Sequence, residues 1–475
     1  MSSVSVATRA GKKVTLDDGA VEAFRGGLRG ELVLAGDPGY DEVRALWNAM
    51  IDRRPALIAR CAGTADVIQS LKLAREHDLL FSVRGAGHNI AGKASCDDGL
   101  MIDLSGMRDV RVDPAARTVR VSPGATLGDL DHETQAFGLA VPVGINSTTG
   151  VAGLTLGGGF GWISRKHGLT CDNLLSADVV TADGKLVRAS AKEEAELFWG
   201  LRGGGGNLGI VTSFEFRAHP VGPEVLAGLV VHPFAAAADV MRQWRDFCAK
   251  APDEATCWVV ARKAPPLPFL PEEWHGREVL VLAMMYTGDM AAGEKVFKTL
   301  RAVGKPIADV VSPHPFSGWQ TAFDPLLTPG LRNYWKSHNF TEMSNEAIDT
   351  VLGYAAKLPS PHTEIFIGQL GGATSRVAQN ATAYPHRDAQ FVMNVHTRWE
   401  KAQDDASCIA WARKLFDDTA PHATGGVYVN FVSEDEDRVQ AAYGGNYERL
   451  AKLKKRYDPQ NLFRVNQNVV PAAKA

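Results

Sequence analysis

The chain lacks the features that mark several protein classes. It has no CxxC pair, and its six cysteines lie far apart, so the sequence offers neither zinc-ligand spacing nor a disulfide framework. No apolar run approaches the roughly 18 residues that a membrane helix needs, and residues 1–13 hold no apolar stretch of the signal-peptide kind. Acidic and basic residues are interspersed, with a net charge of −3, which gives no field suited to nucleic acid. We therefore expect a cytoplasmic protein that binds no metal, nucleic acid or membrane.

What remains is the composition of a large globular protein. Hydrophobic residues make up 45% and charged residues 22% of 475 residues, a length that exceeds one hydrophobic core and predicts at least two domains. A strand, a helix and a second strand over residues 55–84 predict a β-α-β unit within an α+β domain. Further on, predicted helices alternate with strands, which indicates an antiparallel sheet backed by helices on one face. The predicted strands of this second part are 225–231, 256–262, 279–286, 364–370 and 391–396.

Three glycine-rich stretches stand out, at residues 81–92, 143–172 and 202–211. An interior glycine costs about 1 kcal/mol in regular structure, so these stretches indicate backbone wrapped closely around a large ligand. In the first stretch, FSVRGAGHNIAG, successive backbone N–H groups can hold an anion such as a pyrophosphate. His88 lies at its centre and can act as a base, a ligand or a nucleophile. By itself, such a turn is also typical of an ordinary loop with a satisfied histidine.

Over nearly its whole length the chain resembles the vanillyl-alcohol-oxidase-type flavoproteins, which have a PCMH-type FAD-binding domain, and specifically their berberine-bridge-enzyme-like branch. The resemblance rests on Arg84-Gly85-Ala86-Gly87-His88, the glycine pattern of residues 148–161, the K-x-G-L-x-x-D-N segment at 166–173, LFWGLRGGGGNLGIVTSFEF, and the tail YDPQNLFRVNQN. It implies a two-part FAD-binding domain over residues 1–222 and a substrate-binding domain over 223–430. Residues 431–475 would then return to the FAD-binding domain.

The resemblance also implies FAD bound covalently through His88. Many members tether the flavin a second time through a cysteine, but Asn146 stands in that register here, and Cys171 is out of register. We therefore expect a single histidyl bond, as in the 6-hydroxy-D-nicotine oxidase type. The residues expected at the cofactor are Arg84, Gly85, Ala86, Gly87, His88, Asn89, Gly92, Gly144, Thr148, Thr149, Gly150, Gly153, Leu154, Gly158, Gly161, Leu169, Cys171, Asp172, Gly209, Ile210, Val211, Asn466 and Asn468.

The chemistry implied by the resemblance is transfer of a hydride from a substrate carbon to flavin N5, loss of the neighbouring proton to a base, and reduction of O₂ to H₂O₂. The acidic residue of the family would fall near Gly368, which has no side chain. Val151 is small enough to leave O₂ a path, which favours an oxidase. The candidates for proton transfer are Tyr428, Asn430, Gln369, Tyr334 and Lys336, and each has an alternative as a packing or surface residue.

Several functions stay open at this point. The leading one is an FAD-dependent oxidase of a small amine or alcohol; the alternatives are a sugar or oligosaccharide oxidase, a flavoprotein dehydrogenase with another acceptor, and a flavin-binding module without turnover. An NAD-dependent enzyme is disfavoured because no G-x-G-x-x-G lies in a β-α-β unit with an acidic residue about twenty positions on. We expect a monomer or a homodimer. Arg387 is expected in a structural ion pair, and Lys452, Lys454 and Lys455 on the solvent face of a C-terminal helix.

Overall fold

Three β-sheets carry the architecture of the protein, and the computed structural model describes residues 3–433 and 438–473. Two of the sheets lie within residues 31–217, and the third is built from residues 224–399. The predicted α+β class, with an antiparallel sheet backed by helices, is confirmed. The division of the chain at residues 222/223 and 430/431 stays a prediction.

The first sheet holds the His88 loop at the end of a strand. Its strands run in the order Glu31–Leu34, Leu57–Arg60, Leu100–Asp103, Phe81–Arg84, and the last three are parallel. The helix Thr64–Glu76 connects two of these parallel strands, as the β-α-β pattern predicts. Because the loop starts where Phe81–Arg84 ends, His88 lies beyond the carboxyl edge of the sheet, where α/β sheets bind ligands.

The second sheet is antiparallel and carries the middle glycine-rich stretch beside it. Its strands run in the order Leu186–Ser190, Leu174–Val180, Ile210–Arg217, Thr118–Val121, Val110–Asp113. The glycines of the stretch allow close backbone contact. Gly159 has a φ of +78°, and a Cβ there would lie 2.2 Å from the hydroxyl of Thr170, so only glycine fits.

The third sheet is the largest and is antiparallel throughout. Its strands run in the order Ala308–Asp309, Glu224–Pro233, Glu278–Tyr286, Ala255–Lys263, Glu364–Gln369, Phe391–Trp399, Arg332–Phe340, with Ser312–Pro315 also pairing with Glu224–Pro233. One face packs on four helices through a core that includes Trp244, Phe297, Ile348 and Leu415. Alternate residues point to the opposite face, which turns toward the glycine-rich stretches.

The remaining regular elements connect these sheets or cover them. Two short strand pairs are Val4–Ala7 with Lys13–Leu16 and Leu139–Ala140 with His219–Pro220. The α-helices, in chain order, are Asp18–Gly27, Tyr40–Arg44, Thr64–Glu76, Leu127–Gln135, Val151–Leu156, Ser164–His167, Ala195–Leu201, Ala237–Cys248, Met290–Arg301, Phe316–Gln320, Asn345–Ala355, Asp405–Thr419, Val439–Tyr443 and Tyr447–Tyr457.

The expectation that Lys454 lies on the solvent face of the C-terminal helix is wrong. Lys452 is exposed, but Lys454 is fully buried and donates to Asp458 at 2.7 Å and to the carbonyls of Asn207 and Phe463 at 2.9 and 2.7 Å. Asp458 also accepts the backbone N–H of Phe463 at 2.9 Å. The buried pair therefore anchors the C-terminal tail to the third glycine-rich stretch instead of facing solvent.

All six cysteines are buried and unpaired. Within the described part of the chain, the helices are too short or too polar for one of them to span a bilayer.

Candidate functional site

A cavity of about 400 Å³ lies between the glycine-rich stretches and the free face of the large sheet. Gly85, Gly150 and Gly209, one from each glycine-rich stretch, all line it. The three stretches therefore belong to one site, as their composition suggested.

The cavity wall fits a large bound group. An ideal Cβ built on Gly153 or Gly206 meets no protein atom within 4 Å, so the backbone at these positions faces open space. The backbone N–H groups of residues 86–89 donate to no acceptor within the described residues. A buried side-chain atom at the wall, Asn466 Oδ1, also has no partner there. Such unsatisfied donors and acceptors are costly unless a ligand or water meets them, and they suit the phosphates and polar ring edge of FAD.

His88 is held at the wall by stacking and by hydrogen bonds. The ring of Trp47 stacks on it with centroids 5.2 Å apart. Nε2 lies 2.9 Å from the hydroxyl of Thr148, and Nδ1 lies 3.5 Å from the hydroxyl of Thr149. Burial lowers the pKa of His88 to about 4, although the contact with Thr148 opposes this shift. The imidazole is therefore neutral at physiological pH, which is its nucleophilic form.

The hydrogen bonds around Asn146 fix the tautomer of His88. The side-chain N–H₂ of Asn146 donates to the carbonyl of Leu327 at 3.1 Å, so its Oδ1 accepts from the Thr148 hydroxyl at 2.7 Å. Since the single hydroxyl proton of Thr148 is used there, the Thr148 oxygen accepts from Nε2–H of His88. Nδ1 then carries the lone pair, toward which the Thr149 hydroxyl can donate at 3.5 Å. Asn146, which stands where the resemblance would place a second cysteine, thus orients His88 through Thr148.

The residues expected at the cofactor divide into two groups by position. Those that line the cavity are Gly85, Ala86, Gly87, His88, Asn89, Gly144, Thr149, Gly150, Gly153, Leu154, Gly209, Ile210, Val211 and Asn466. Those that lie outside its lining are Arg84, Gly92, Thr148, Gly158, Gly161, Leu169, Cys171, Asp172 and Asn468. Contact of the first group with FAD stays a prediction.

Several residues of the second group have structural contacts instead. Arg84 donates to the carbonyl of Val43, away from the cavity. Asp172 forms a buried, bidentate ion pair with Arg387, with both N–O distances at 2.7 Å, so the expected structural role of Arg387 is confirmed. Cys171 is fully buried, and burial raises the pKa of its thiol, which keeps it protonated and unreactive.

Tyr428 and Asn430 line the cavity and clamp the middle glycine-rich stretch. The Tyr428 hydroxyl accepts from the backbone N–H of Gly159 at 3.0 Å and from the side-chain N–H₂ of Asn430 at 2.9 Å. Asn430 lies so close to Gly157 that a Cβ there would clash at 2.2 Å. Burial raises the pKa of Tyr428, so the phenol keeps its proton. This geometry suits a hydrogen-bond donor better than a base.

Three candidates for proton transfer lie on the helix-packed face of the large sheet. The Tyr334 hydroxyl accepts from Arg413 at 3.0 Å in the helix-packed core. The ammonium of Lys336 lies 5.5 Å from the centre of the Tyr334 ring, on the same side. Gln369 accepts the backbone N–H of Cys257 at 3.0 Å. Side chains alternate between the two faces of a strand, so residues one position away face the cavity while these three face the helices. The structure therefore does not support a catalytic role for them.

A row of side chains that sequence reasoning missed crosses the cavity face of the sheet. Arg262, Glu364, His396 and Trp335 occupy directly paired positions on four adjacent strands, and all four line the cavity. The alternation of residues 364–368 already places Glu364 beside Phe366 on one face. Only the strand pairing brings Arg262 and His396 to it, because the three residues are far apart in sequence.

The expectation for Val151 also needs correction. Val151 is fully buried at the start of helix Val151–Leu156, and its neighbours Gly150 and Ala152 line the cavity in its place. Nowhere in residues 3–433 and 438–473 do three or more His, Cys, Asp or Glu side chains converge as a metal site would require.

Comparison with known proteins agrees with the geometry. A family model for the FAD binding domain matches residues 55–190, and one described as berberine and berberine like matches residues 427–470. An FAD-linked oxidoreductase of Bacillus subtilis (strain 168) is 32% identical over 452 residues, 94% of this chain and 97% of the relative. The crystal structure of 6-hydroxy-D-nicotine oxidase from Arthrobacter nicotinovorans matches with a TM-score of 0.84 at 28% identity, covering 94% of this chain and 98% of that one.

A xylooligosaccharide oxidase from Myceliophthora thermophila, in complex with xylobiose, matches with a TM-score of 0.81 at 25% identity and covers 96% of this chain and 99% of that one. The names of these two oxidases thus indicate chemically different substrates, although both share the fold of this chain. The chain is an enzyme and belongs to the berberine-bridge-enzyme-like family of FAD-linked oxidoreductases.

Proposed function

We propose that the protein is an FAD-dependent oxidase of a small, largely apolar amine or alcohol. The observation that carries the proposal is the two-sided cavity, with glycine-rich backbone and a neutral histidine on one side and, on the other, a sheet face that is apolar apart from the row of Arg262, Glu364 and His396. FAD, when bound, supplies the hydride-accepting flavin, and O₂ is the final electron acceptor. A substrate with adjacent C–H and O–H or N–H bonds and one O₂ then give a C=O or C=N product and H₂O₂.

His88 would hold FAD through a single covalent bond. The neutral imidazole and its unprotonated Nδ1 support this role, because a nucleophilic nitrogen is what bonding to the electrophilic 8α-methyl position requires. Trp47 fixes the plane of the ring by stacking. Gly153 and Gly206 leave room for a large planar group along the wall.

The sheet face of the cavity favours an apolar substrate. Its lining includes Leu229, Val260, Val281, Trp258 and Phe366, whose side chains offer no hydrogen-bond acceptor. A sugar would bury several hydroxyl groups, and those that meet this apolar part of the wall instead of Glu364 or His396 would each cost about 1–3 kcal/mol when left without a partner. An aromatic or alkyl amine or alcohol would instead gain from the same contacts.

The test is a substrate screen with two readouts on the purified yellow protein. Release of H₂O₂ and anaerobic bleaching of the flavin absorbance would be measured for arylalkyl amines including (R)-6-hydroxynicotine, arylalkyl alcohols, free aldoses and xylobiose. We expect both signals from amines or alcohols and neither from the sugars.

The two alternatives give different patterns in the same screen. A sugar oxidase would release H₂O₂ with xylobiose or an aldose and not with the apolar compounds. A dehydrogenase would bleach its flavin under anaerobic conditions but release little H₂O₂ in air. Val260→Gln offers a matched control, because it places a polar group on the wall and should raise KM for an apolar substrate while flavin content stays unchanged.

A further inference from the structure

His396 and Glu364 form a carboxylate–imidazole pair at the cavity wall. Nδ1 of His396 lies 3.1 Å from Oε1 of Glu364, and the other carboxylate oxygen accepts from Arg262 at 2.9 Å. The side chains are nearly buried, with 13% of His396, 10% of Glu364 and 12% of Arg262 exposed. Trp335 covers the imidazole from the next strand, with ring centroids 4.1 Å apart. These contacts therefore hold the pair in one arrangement at the cavity wall.

The protonation states of the pair follow from these contacts. Burial alone would raise the pKa of Glu364, but Arg262 and the hydrogen bond to His396 lower it to about 2, so Glu364 is a carboxylate that only accepts hydrogen bonds. His396 must therefore donate through Nδ1–H. Nε2 then carries a lone pair, and it is a buried atom without a hydrogen-bond partner in the described parts of the chain.

The other ionisable groups at the cavity wall are less suited to accept a proton. Tyr428 and Tyr443 are buried, and burial raises the pKa of both phenols. Arg262 is held in its ion pair with Glu364. His88 is assigned to the cofactor in the proposed function, and Lys93 lies on the glycine-rich loop that carries His88. His396 is left as the imidazole of the sheet face.

We propose that His396 is the catalytic base of the oxidation and that Glu364 positions it, an inference that rests on the proposed function. The substrate O–H or N–H bond breaks, its proton goes to Nε2, and its electron pair forms the new C=O or C=N bond. The neighbouring C–H bond breaks, and its electron pair passes as a hydride to FAD. O₂ finally takes up the two electrons with two protons, one of them from His396, as H₂O₂. The arrangement repeats the logic of a histidine held in one tautomer by a buried carboxylate.

The charged groups that face His396 determine its pH behaviour. Glu364 lies on the neighbouring strand at one side of His396, and Arg262 lies on the strand beyond Glu364. Arg398 lies on the strand of His396 itself, two residues further along. The neighbouring strand at the other side contributes the uncharged Trp335. Burial lowers the pKa of His396 below its ordinary 6.5, Glu364 opposes that shift, and the two arginines add to it. The imidazole is thus a neutral proton acceptor at pH 7. The rate of flavin reduction should fall where His396 becomes protonated, and this acidic limb of the pH profile should lie below pH 6.5.

The first test needs no substrate. The holoenzyme labelled with ¹³C and ¹⁵N histidine would be compared with His396→Gln to assign the His396 signals by NMR. We expect a protonated Nδ1 and an unprotonated Nε2 at pH 7. A proton on Nε2, or a doubly protonated ring at pH 7, would overturn the proposal whatever the substrate is.

The second test measures anaerobic flavin reduction by the most active compound of the screen. His396→Gln should lower the reduction rate roughly 10²-fold or more, the usual size of lost general base catalysis, and abolish the acidic rate limb. Glu364→Gln should lower it at least about tenfold and move the limb to lower pH, because the amide removes the charge that raises the pKa of the imidazole. KM should change less than the reduction rate.

A matched control separates catalysis from folding. His338 is also a buried imidazole, one strand away, but it stacks on Phe416 at 4.0 Å and lies outside the cavity lining. His338→Gln should therefore leave the reduction rate within about twofold, even where the melting temperature falls. His396→Gln with wild-type reduction rates would overturn the inference and leave the oxidase function intact. A wild-type enzyme that no amine or alcohol reduces would instead overturn the proposed function.

Discussion

Asp131 lies at the contact between helix Leu127–Gln135 and helix Phe316–Gln320, and this contact connects the two parts of the chain predicted to bind FAD and substrate. Asp131 is 3% exposed, and its carboxyl group accepts one hydrogen bond, from Gln320 at 2.9 Å. Its second oxygen and the side-chain oxygen of Gln320 have no partner in the described structure. Burial raises the pKa of Asp131 from 3.8 to about 7, although the hydrogen bond from Gln320 opposes the shift.

The raised pKa makes stability depend on pH in a definite direction. Between pH 3.8 and about 7 the folded state binds a proton that the unfolded state has lost, so the free energy of unfolding falls as the pH rises. The slope is about 1.4 kcal/mol per pH unit, and the whole window is worth about 4 kcal/mol. Asp131→Asn keeps the shape, stays neutral, and lets its N–H₂ donate to the free oxygen of Gln320. The variant should match the wild type near pH 4 and exceed its stability at pH 8.

The measurement is thermal or urea unfolding of both proteins in steps from pH 5 to pH 8. The advantage of Asp131→Asn should grow by about 3 kcal/mol over this range, which is an increase of several degrees in melting temperature. Glu133→Gln is the matched control, because the exposed Glu133 of the same helix has no buried charge to lose. A difference between Asp131→Asn and the wild type that stays constant from pH 5 to pH 8 would refute the reasoning.

Three further predictions concern single side chains. Tyr428→Phe should lower the rate of anaerobic flavin reduction less than about tenfold, because the hydroxyl oxygen already accepts two N–H donors. A loss of about 10²-fold would instead identify the phenol as the proton acceptor expected from the sequence. Cys171→Ser should leave the covalently bound flavin fraction unchanged, and flavin on a Cys171 peptide would contradict this. Lys454→Met should cost about 3–5 kcal/mol, because it leaves Asp458 buried and unpaired, whereas Lys452→Met should cost under about 0.5 kcal/mol; equal unfolding midpoints for the two would refute the assignment.

The sequence was most informative where backbone geometry admits one residue type. Gly159 and Gly209 have positive φ values and lie against other segments of the same chain, so only glycine fits there. The glycines of the sequence therefore predicted backbone packed closely around a ligand. The β-α-β unit and five strands of the large sheet were also readable, because apolar residues recur with the period of each element, whereas the strands Ala308–Asp309, Ser312–Pro315 and Arg332–Phe340 were not predicted.

The sequence was least informative where function depends on strand pairing. Arg262, Glu364 and His396 meet only because three strands pair in one register, and no local pattern contains that register. Tyr334 and Lys336 flank Trp335, and only the middle residue of the three lines the cavity. Lys454 was placed on a solvent face because a lysine-rich helix usually has one, but packing around Asp458 outweighs that tendency. The cytoplasmic location and the choice between monomer and homodimer stay predictions.

The most direct test of the account is whether FAD stays on the chain after acid denaturation. Trypsin cuts after Arg84 and Lys93, so His88 falls on the peptide of residues 85–93. We expect a yellow acid precipitate and the mass of FAD on this peptide, whereas His88→Ala should retain at most dissociable flavin. Release of all flavin into the supernatant from the wild-type protein would contradict the account.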